Sequence, residues 1–433
     1  MHSKFFHIRF GFDLRQRRNR DRLTWFGAVP ALLLLMAVGQ AMIALPSRFR
    51  NGHSRNQQQV VSGMNHLIDT RWYTVAELFP VVPYAPEREN ALVNSLSGDI
   101  YASMPTIGLQ IAGNSLRTVS NRIINTDLFL NVADEPLLGS ATGLSTESDL
   151  IVRGQPSVSF ASGWLQGYGV SGRFGSDGNA SSSGYGIGGL AYGLDLGRDE
   201  TGVFGIALGN SFTSISNDQS DTARVNSLQV GIYALKRNEI SYVFGVLNYG
   251  HNLFDVNRTV GVTPTRFVVG SSYSGDQFGS YGEAGLNVES RNVRMQPFVG
   301  MQYVSLSNSQ ASESGLGGLS IAANNFSSVQ AHLGGRLIAH RLTDSRGRRW
   351  TPYLSGRWAW ELLNEQASTF ATLQTTSASW TIAGNQPARN FGLIGPGLTV
   401  ELSRGISLFG AYEFQWGSNF RAQTGTGGLL ITY

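Results

Sequence analysis

Between residues 163 and 433 the chain alternates apolar and polar residues with a period of two, and nothing else in the sequence restricts the fold as strongly. Successive side chains of a β-strand point to opposite faces, so this period marks strands with two chemically different sides. We count twelve such segments of ten to fifteen residues, from 163–173 and 183–196 at one end to 406–416 and 423–433 at the other. Their connections alternate in length. Those at 174–182, 255–274, 308–324 and 364–388 are long, and those near 237–239, 290–293 and 403–405 are short. Short turns on one side and long loops on the other are expected of a transmembrane barrel, which also needs an even strand number. The faces are consistent with this. In 349–363, Leu354, Trp358, Trp360 and Leu362 oppose Tyr353, Ser355, Arg357 and Glu361. In 325–340, Leu333 and Leu337 oppose Gln330, His332 and Arg336. The reading is an all-β transmembrane barrel of about 12 antiparallel strands, its apolar face toward lipid and its polar face toward the lumen. Trp350, Trp416 and Tyr433 sit near strand ends, where an aromatic girdle belongs.

Composition supports this. Only 14% of residues are charged, while 53 are glycine and 11% are aromatic, a balance that would keep a water-soluble domain poorly solvated. The formal charge of +4 comes from the leader. Residues 1–22 carry seven basic and two acidic side chains, and removing 1–41 leaves 26 basic against 27 acidic groups. No nucleic-acid partner is therefore expected. The absence of cysteine excludes a disulfide scaffold or a thiolate metal site.

Ahead of the strands lie two further regions. Met1–Arg22 is basic and Leu23–Leu45 is an uncharged apolar run ending in small residues. The pattern fits a signal peptide over 1–44, with Ala41 or Ala44 as the cleavage position, rather than a retained anchor. Residues 45–162 read as a helical and linker region holding at most a vestigial exported segment. Asn56–Asp69 has helical spacing, and Arg88–Ile124 forms a second helical region that Pro105 is expected to interrupt. Asn125–Ser162, rich in Gly, Ser and Thr, reads as a linker.

Particular residues in 163–433 resemble a known family. The opening Trp164, Gln166, Gly167, Tyr168 and Gly169, the run GGLAYGLDLG at Gly188–Gly197, PFVGMQYVSL at Pro297–Leu306 and YEFQWGSNF at Tyr412–Phe420 resemble the translocator domain of autotransporters, the type V secretion proteins. LSGDIYAS at Leu96–Ser103 is similar to the segment before the barrel in many members. The resemblance implies a twelve-stranded barrel in the bacterial outer membrane of a Gram-negative cell, crossed by a helical segment leading to an exported passenger. It also implies that Tyr433 serves as the terminal assembly signal, although members more usually end in phenylalanine or tryptophan. The interval between leader and family-like segment is short, so a minimal N-terminal segment, exported or displayed, is expected in place of a β-helical or enzymatic passenger.

Chemistry-bearing motifs are few. Gly186–Ala191 matches G-x-G-x-x-A but falls inside a strand, where the helix that would hold a dinucleotide is missing. His332 and His340 lie about 26 Å apart along one strand and cannot share a metal. No nucleophile elbow or zinc-binding helix motif occurs, so neither an enzyme, a cofactor nor a metal is expected. The notable set is the charges that alternation turns inward: Glu283, Arg336, Arg357, Glu361, Glu401 and Glu413. Four of these six are acidic, and the helical segment Ile107–Ile124 carries Arg117 and Arg122. At helical rise that segment is about 27 Å long, matching the apolar band of such barrels. It is expected to occupy the lumen with Arg117 or Arg122 near Glu361 or Glu413, and with Pro105 at the bend where the chain leaves the pore. The competing reading is an open, narrow channel for small solutes. Expected partners are outer-membrane lipid and the barrel assembly machinery, with the barrel itself monomeric.

Overall fold

In the computed structural model the chain is described over residues 48–50, 52–78, 86–126, 162–262, 265–339, 342–363, 366–386, 388–403 and 405–432. The leader, most of the linker, His340 and Tyr433 lie outside these. Three helices come first: α1 (Arg55–Leu78, non-helical at Arg71), α2 (Pro86–Ser97) and α3 (Asp99–Ile124). Twelve long strands follow. They are β1 (Ser162–Phe174), β2 (Ser183–Arg198), β3 (Gly202–Asn217), β4 (Thr222–Arg237), β5 (Ser241–Val262), β6 (Thr265–Leu286), β7 (Val293–Asn308), β8 (Asn324–Ala339), β9 (Arg349–Glu361), β10 (Asn390–Ser403), β11 (Ile406–Gly417) and β12 (Phe420–Thr432).

Each strand pairs antiparallel with its sequence neighbours. β12 returns to β1 over thirteen residue pairs, from Ser162 opposite Thr432 to Phe174 opposite Phe420. β7 and β8 complete the ring, so the sheet closes. All twelve expected segments are strands. One expectation fails: the presumed loop 255–274 is mostly strand. β5 and β6 each run for 22 residues and pair without interruption up to Val262 opposite Thr265. At about 3.3 Å per residue these strands far exceed the membrane's thickness, so the hairpin projects beyond it. Its outer half alternates like the rest but carries polar residues outward, which made it read as a loop.

The outward face is apolar around the ring. Leu194, Leu208, Ile232, Leu247, Val299, Leu333, Leu354 and Leu408 are all exposed. On β3 this belt runs from Phe204 to Phe212, about 27 Å of strand. So much contiguous apolar surface is incompatible with water and fits the hydrocarbon of a bilayer. Aromatic residues mark its long-loop edge at Phe212, Tyr249, Phe278, Tyr303, Trp358 and Trp416.

Helices α1 and α2 cover the long-loop end. Val60, Met64 and Leu67 of α1 and Leu92, Val93 and Leu96 of α2 share a buried core with Leu319, Ile321, Leu373, Trp380 and Ile382 of the long loops. Those loops form a small four-stranded sheet from Ala311–Ser312, Leu319–Ile321, Ser368–Leu373 and Ser379–Ala383. Asn56 extends it: its Nδ2 donates to the Ala383 carbonyl at 2.8 Å and its Oδ1 accepts from the Ala383 N–H at 2.9 Å.

A charge placed on the belt tests this orientation of faces. Leu208→Arg, near the middle of the β3 belt, is expected to cost about 2–4 kcal/mol in a bilayer. Ser214→Arg, beyond Phe212, should cost under about 1 kcal/mol. Urea unfolding in lipid vesicles measures both, and equal losses would show that the belt is misplaced.

Candidate functional site: the lumen helix and its wall contacts

α3 threads the lumen from the long-loop end to the short-turn end. Twenty-three of its 26 residues are buried, a proportion that only enclosure on all sides produces. Its length, about 39 Å at helical rise, exceeds the expected 107–124 segment. The chain turns at Gly98 and not at Pro105. Gly98 has φ 72°, a left-handed conformation that costs glycine little, and a Cβ there would meet Leu319 at 2.8 Å. Pro105 sits inside the helix. It removes one backbone hydrogen bond, yet the turn is held by burial from Tyr101 to Leu109.

Near the short-turn end the helix is fixed by a buried ion pair. The Arg122 Nη2 donates to Asp195 Oδ2 at 2.8 Å, with both side chains 1% exposed. The second Asp195 oxygen accepts the Tyr233 hydroxyl at 2.6 Å, and Tyr233 in turn accepts the Trp164 indole N–H at 2.9 Å. Arg198 approaches the same carboxylate to 3.9 Å. Gly205 makes room for this chain of bonds, because a Cβ there would lie 2.4 Å from the Tyr233 ring. One turn farther along, Asn125 accepts a hydrogen bond from the Thr399 hydroxyl at 2.8 Å.

Midway, Arg117 lies 3.6 Å from Glu413, which also accepts from Arg357 at 3.0 Å. Asn248 donates to Ser115 at 2.9 Å from the opposite wall. The contacts seen for the other expected wall charges lie within the wall. Glu283 and Arg336 form a two-pronged pair at 2.6 and 2.9 Å, with Tyr242 and Tyr281 also donating to the carboxylate. Glu361 accepts from the Ser328 hydroxyl and the Val329 N–H within the wall. Glu401 lies 3.7 Å from Arg349 at the short-turn mouth. Of the expected pairings, the structure brings together Arg117 and Glu413; the partner of Arg122 is Asp195, which sequence reasoning missed. Asp195 has the same inward parity as Ile187 and Ala191, so alternation could have found it.

The helix packs chiefly against β1–β7 and meets β8–β12 more sparsely. A cavity of about 30 Å³ remains on that side, between Asn114, Arg117 and Asn121 of α3 and Tyr353, Ala411, Glu413 and Thr424 of the wall. It has room for an ordered water. His332 lies on this side, buried edge-on to Tyr281 with its ring centroid 5.7 Å away. The glycine motif Gly186–Ala191 is a stretch of β2. Among the described residues no cluster of His, Asp or Glu could hold a metal.

At the long-loop mouth a second buried pair joins helix, cap and loop. Arg258 and Glu313 are both fully buried, at 2.6 and 2.8 Å. Arg258 also donates to the Ser95 carbonyl of α2 at 2.7 Å, and Glu313 accepts from the Tyr101 hydroxyl of α3 at 2.9 Å. Asp99 accepts from the backbone and hydroxyl of Ser181 at 2.9 and 2.7 Å. Asp221, in the β3–β4 connection, accepts from the Thr259 N–H at 3.1 Å. Burial pushes the Asp221 carboxyl up to about 6, against the pull of Arg258.

The Autotransporter beta-domain family model matches residues 163–413. The translocator domain of autotransporter NalP from Neisseria meningitidis is similar at 16% identity and a TM-score of 0.58, covering 78% of this chain and 100% of that one. The β-domain of the Bordetella autotransporter Brka (18% identity, 63% and 98% covered, TM-score 0.47) and the transport unit of AIDA-I from Escherichia coli (15%, 72% and 97%, 0.45) are also similar. Comparison with curated protein sequences returns no match.

Two measurements test the energetics. Arg122→Ala leaves Asp195 buried without its strongest partner and is expected to cost about 3–5 kcal/mol. Arg117→Ala, whose pair is longer and wetter, should cost under half of that. Denaturant midpoints of the refolded barrel compare them, and equal losses would remove the distinction. Asp221 is raised in the folded state, so its contribution is fully present below the ordinary carboxylate value and lost as pH climbs through about 6. The long-loop end should therefore be more stable at pH 5 than at pH 7.5, and Asp221→Asn should flatten that slope in amide exchange of the Asn217–Thr222 turn.

Proposed function

The chain belongs to the autotransporter β-domain family, whose barrels reside in the bacterial outer membrane, and from that premise we propose that its barrel exports a minimal N-terminal segment and keeps it on display. The observation that carries this reading is the course of α3. Its N-terminal end opens at the long-loop face, directly into the α1–α2 cap, and its C-terminal end lies at the short-turn face where β1 begins. Helices α1 and α2 are thus presented at the long-loop face, which this reading takes as the side facing the exterior. The lumen helix is both tether and plug. The leader, 1–44, is a cleaved export signal, removed after Ala41 or Ala44. The barrel acts as a monomer in outer-membrane lipid, is inserted by the assembly machinery with Tyr433 as its terminal signal, and performs no catalysis.

An open channel for small solutes is disfavoured because α3 fills the lumen along its length. Planar-bilayer recordings test this. The chain from residue 48 should conduct little, and the same chain lacking residues 48–124 should show a several-fold larger unit conductance. Equal conductances would end the plug reading. Orientation is tested separately on intact cells. An epitope inserted after Gly178 should bind antibody, and one inserted after Glu200 should not; the reverse pattern would invert the topology.

A further inference from the structure

Outside the lumen a large cavity lies on the outward face of β2–β6, just beyond the apolar belt. It is an open trough of about 1060 Å³. The extended β5–β6 hairpin forms one side, with Ser314 bridged to Gly270 at its far edge. The floor is glycine, at Gly184, Gly186 and Gly270. The lining is hydroxyl and amide groups with one cation and one anion: Ser214, Arg224, Asp255, Asn257, Ser272 and Ser314, all outward and exposed. Arg224 and Asp255 are cross-strand neighbours in register. Even so, Arg224 has no ion-pair partner among the described residues, and Asp255 is engaged by the Ser272 hydroxyl at 2.7 Å.

Position makes this surface distinctive. Phe212 lies two residues below Ser214 on β3, Leu253 two below Asp255 on β5 and Leu228 four below Arg224 on β4, each more than half exposed to the lipid side. A ligand in the trough therefore has apolar surface directly beneath it. A guanidinium without a carboxylate partner is a ready phosphate binder, since its fork matches phosphate oxygens in two-point contact. Neighbouring Ser, Asn and Asp groups supply the donors and acceptors that sugar hydroxyls need. We propose that this trough binds the phosphorylated sugar headgroup of a glycolipid in the outer leaflet, with its acyl chains against Phe212, Leu228 and Leu253. The assignment to the outer leaflet rests on the proposed orientation of the long-loop end.

The test uses the refolded chain from residue 48 in detergent micelles, where orientation plays no part. Displacement of fluorescent lipopolysaccharide by unlabelled competitors reads affinity. Lipopolysaccharide should compete at least tenfold better than phosphatidylglycerol or than its own dephosphorylated form. Arg224→Glu and Ser214→Trp, which reach the trough from different strands, should each weaken binding at least tenfold. Arg421→Glu, on β12, should change it less than twofold. Heat-modifiable migration confirms that each variant folds, and Ser214→Trp decides should Arg224→Glu fail to. Phosphatidylglycerol competing equally, or all variants binding alike, would overturn the proposal. Failure of the orientation reading would appear instead in the epitope pattern on cells, with micellar binding unchanged.

Discussion

A strand in hydrocarbon has no water to bond its backbone, and each unpaired amide or carbonyl there costs several kcal/mol. The return of β12 to β1 is the answer to that constraint, and the remaining architecture follows from it. Closure with alternating side chains forces every strand to give one face to lipid and the other to a common interior. Twelve strands enclose more space than their own side chains fill, unlike an eight-stranded barrel. Something else must occupy it, and α3 does. The polar parity positions then have to satisfy one another or the helix, because the lumen is too narrow to solvate them freely.

The solution to that last demand differs along the axis. At both mouths the charges are buried and closely paired, Arg122 with Asp195 and Arg258 with Glu313. A buried pair is weak evidence of net stabilisation, but losing one partner is costly. Such pairs therefore fix position more than they add stability, and here they set the depth of α3 in the pore. Between them the contacts loosen to Arg117–Glu413 and a water-sized gap. The buried ion pairs stand near the ends of the helix, and its middle is held mostly by apolar packing on one side.

Much of this was legible in the sequence, for a definite reason. A period of two is a local signal, so the twelve strands, the lipid face of Leu333, Leu354 and Leu408, and the inward turn of Glu413 could be read residue by residue. Charge sign and parity placed Arg117 or Arg122 near Glu361 or Glu413, but did not choose among the four pairs, of which Arg117–Glu413 forms. The failures involve information that is not local. Gly98 and Pro105 both break helices in principle, and deciding between them required knowing that the lumen walls support the turn around Pro105. Arg258 and Glu313 fell in segments that read as loops, since strands projecting past the membrane lose the apolar half of the alternation. The Asn56–Ala383 pairing joins residues 327 positions apart and has no sequence signature at all.

The sparser packing of α3 on β8–β12 divides the barrel mechanically. β1–β7 are braced from within by a packed helix, whereas part of β8–β12 backs onto a small polar gap and meets the helix through a few polar contacts, such as Arg117–Glu413 and Asn125–Thr399, and isolated apolar ones. Lateral pressure from the bilayer is then resisted unequally around the ring. The less braced arc is the compliant wall, the side on which the cross-section would ovalise first under compression. It includes β12 but not β1, so the junction where the ring closes is also the boundary between a stiff arc and a soft one.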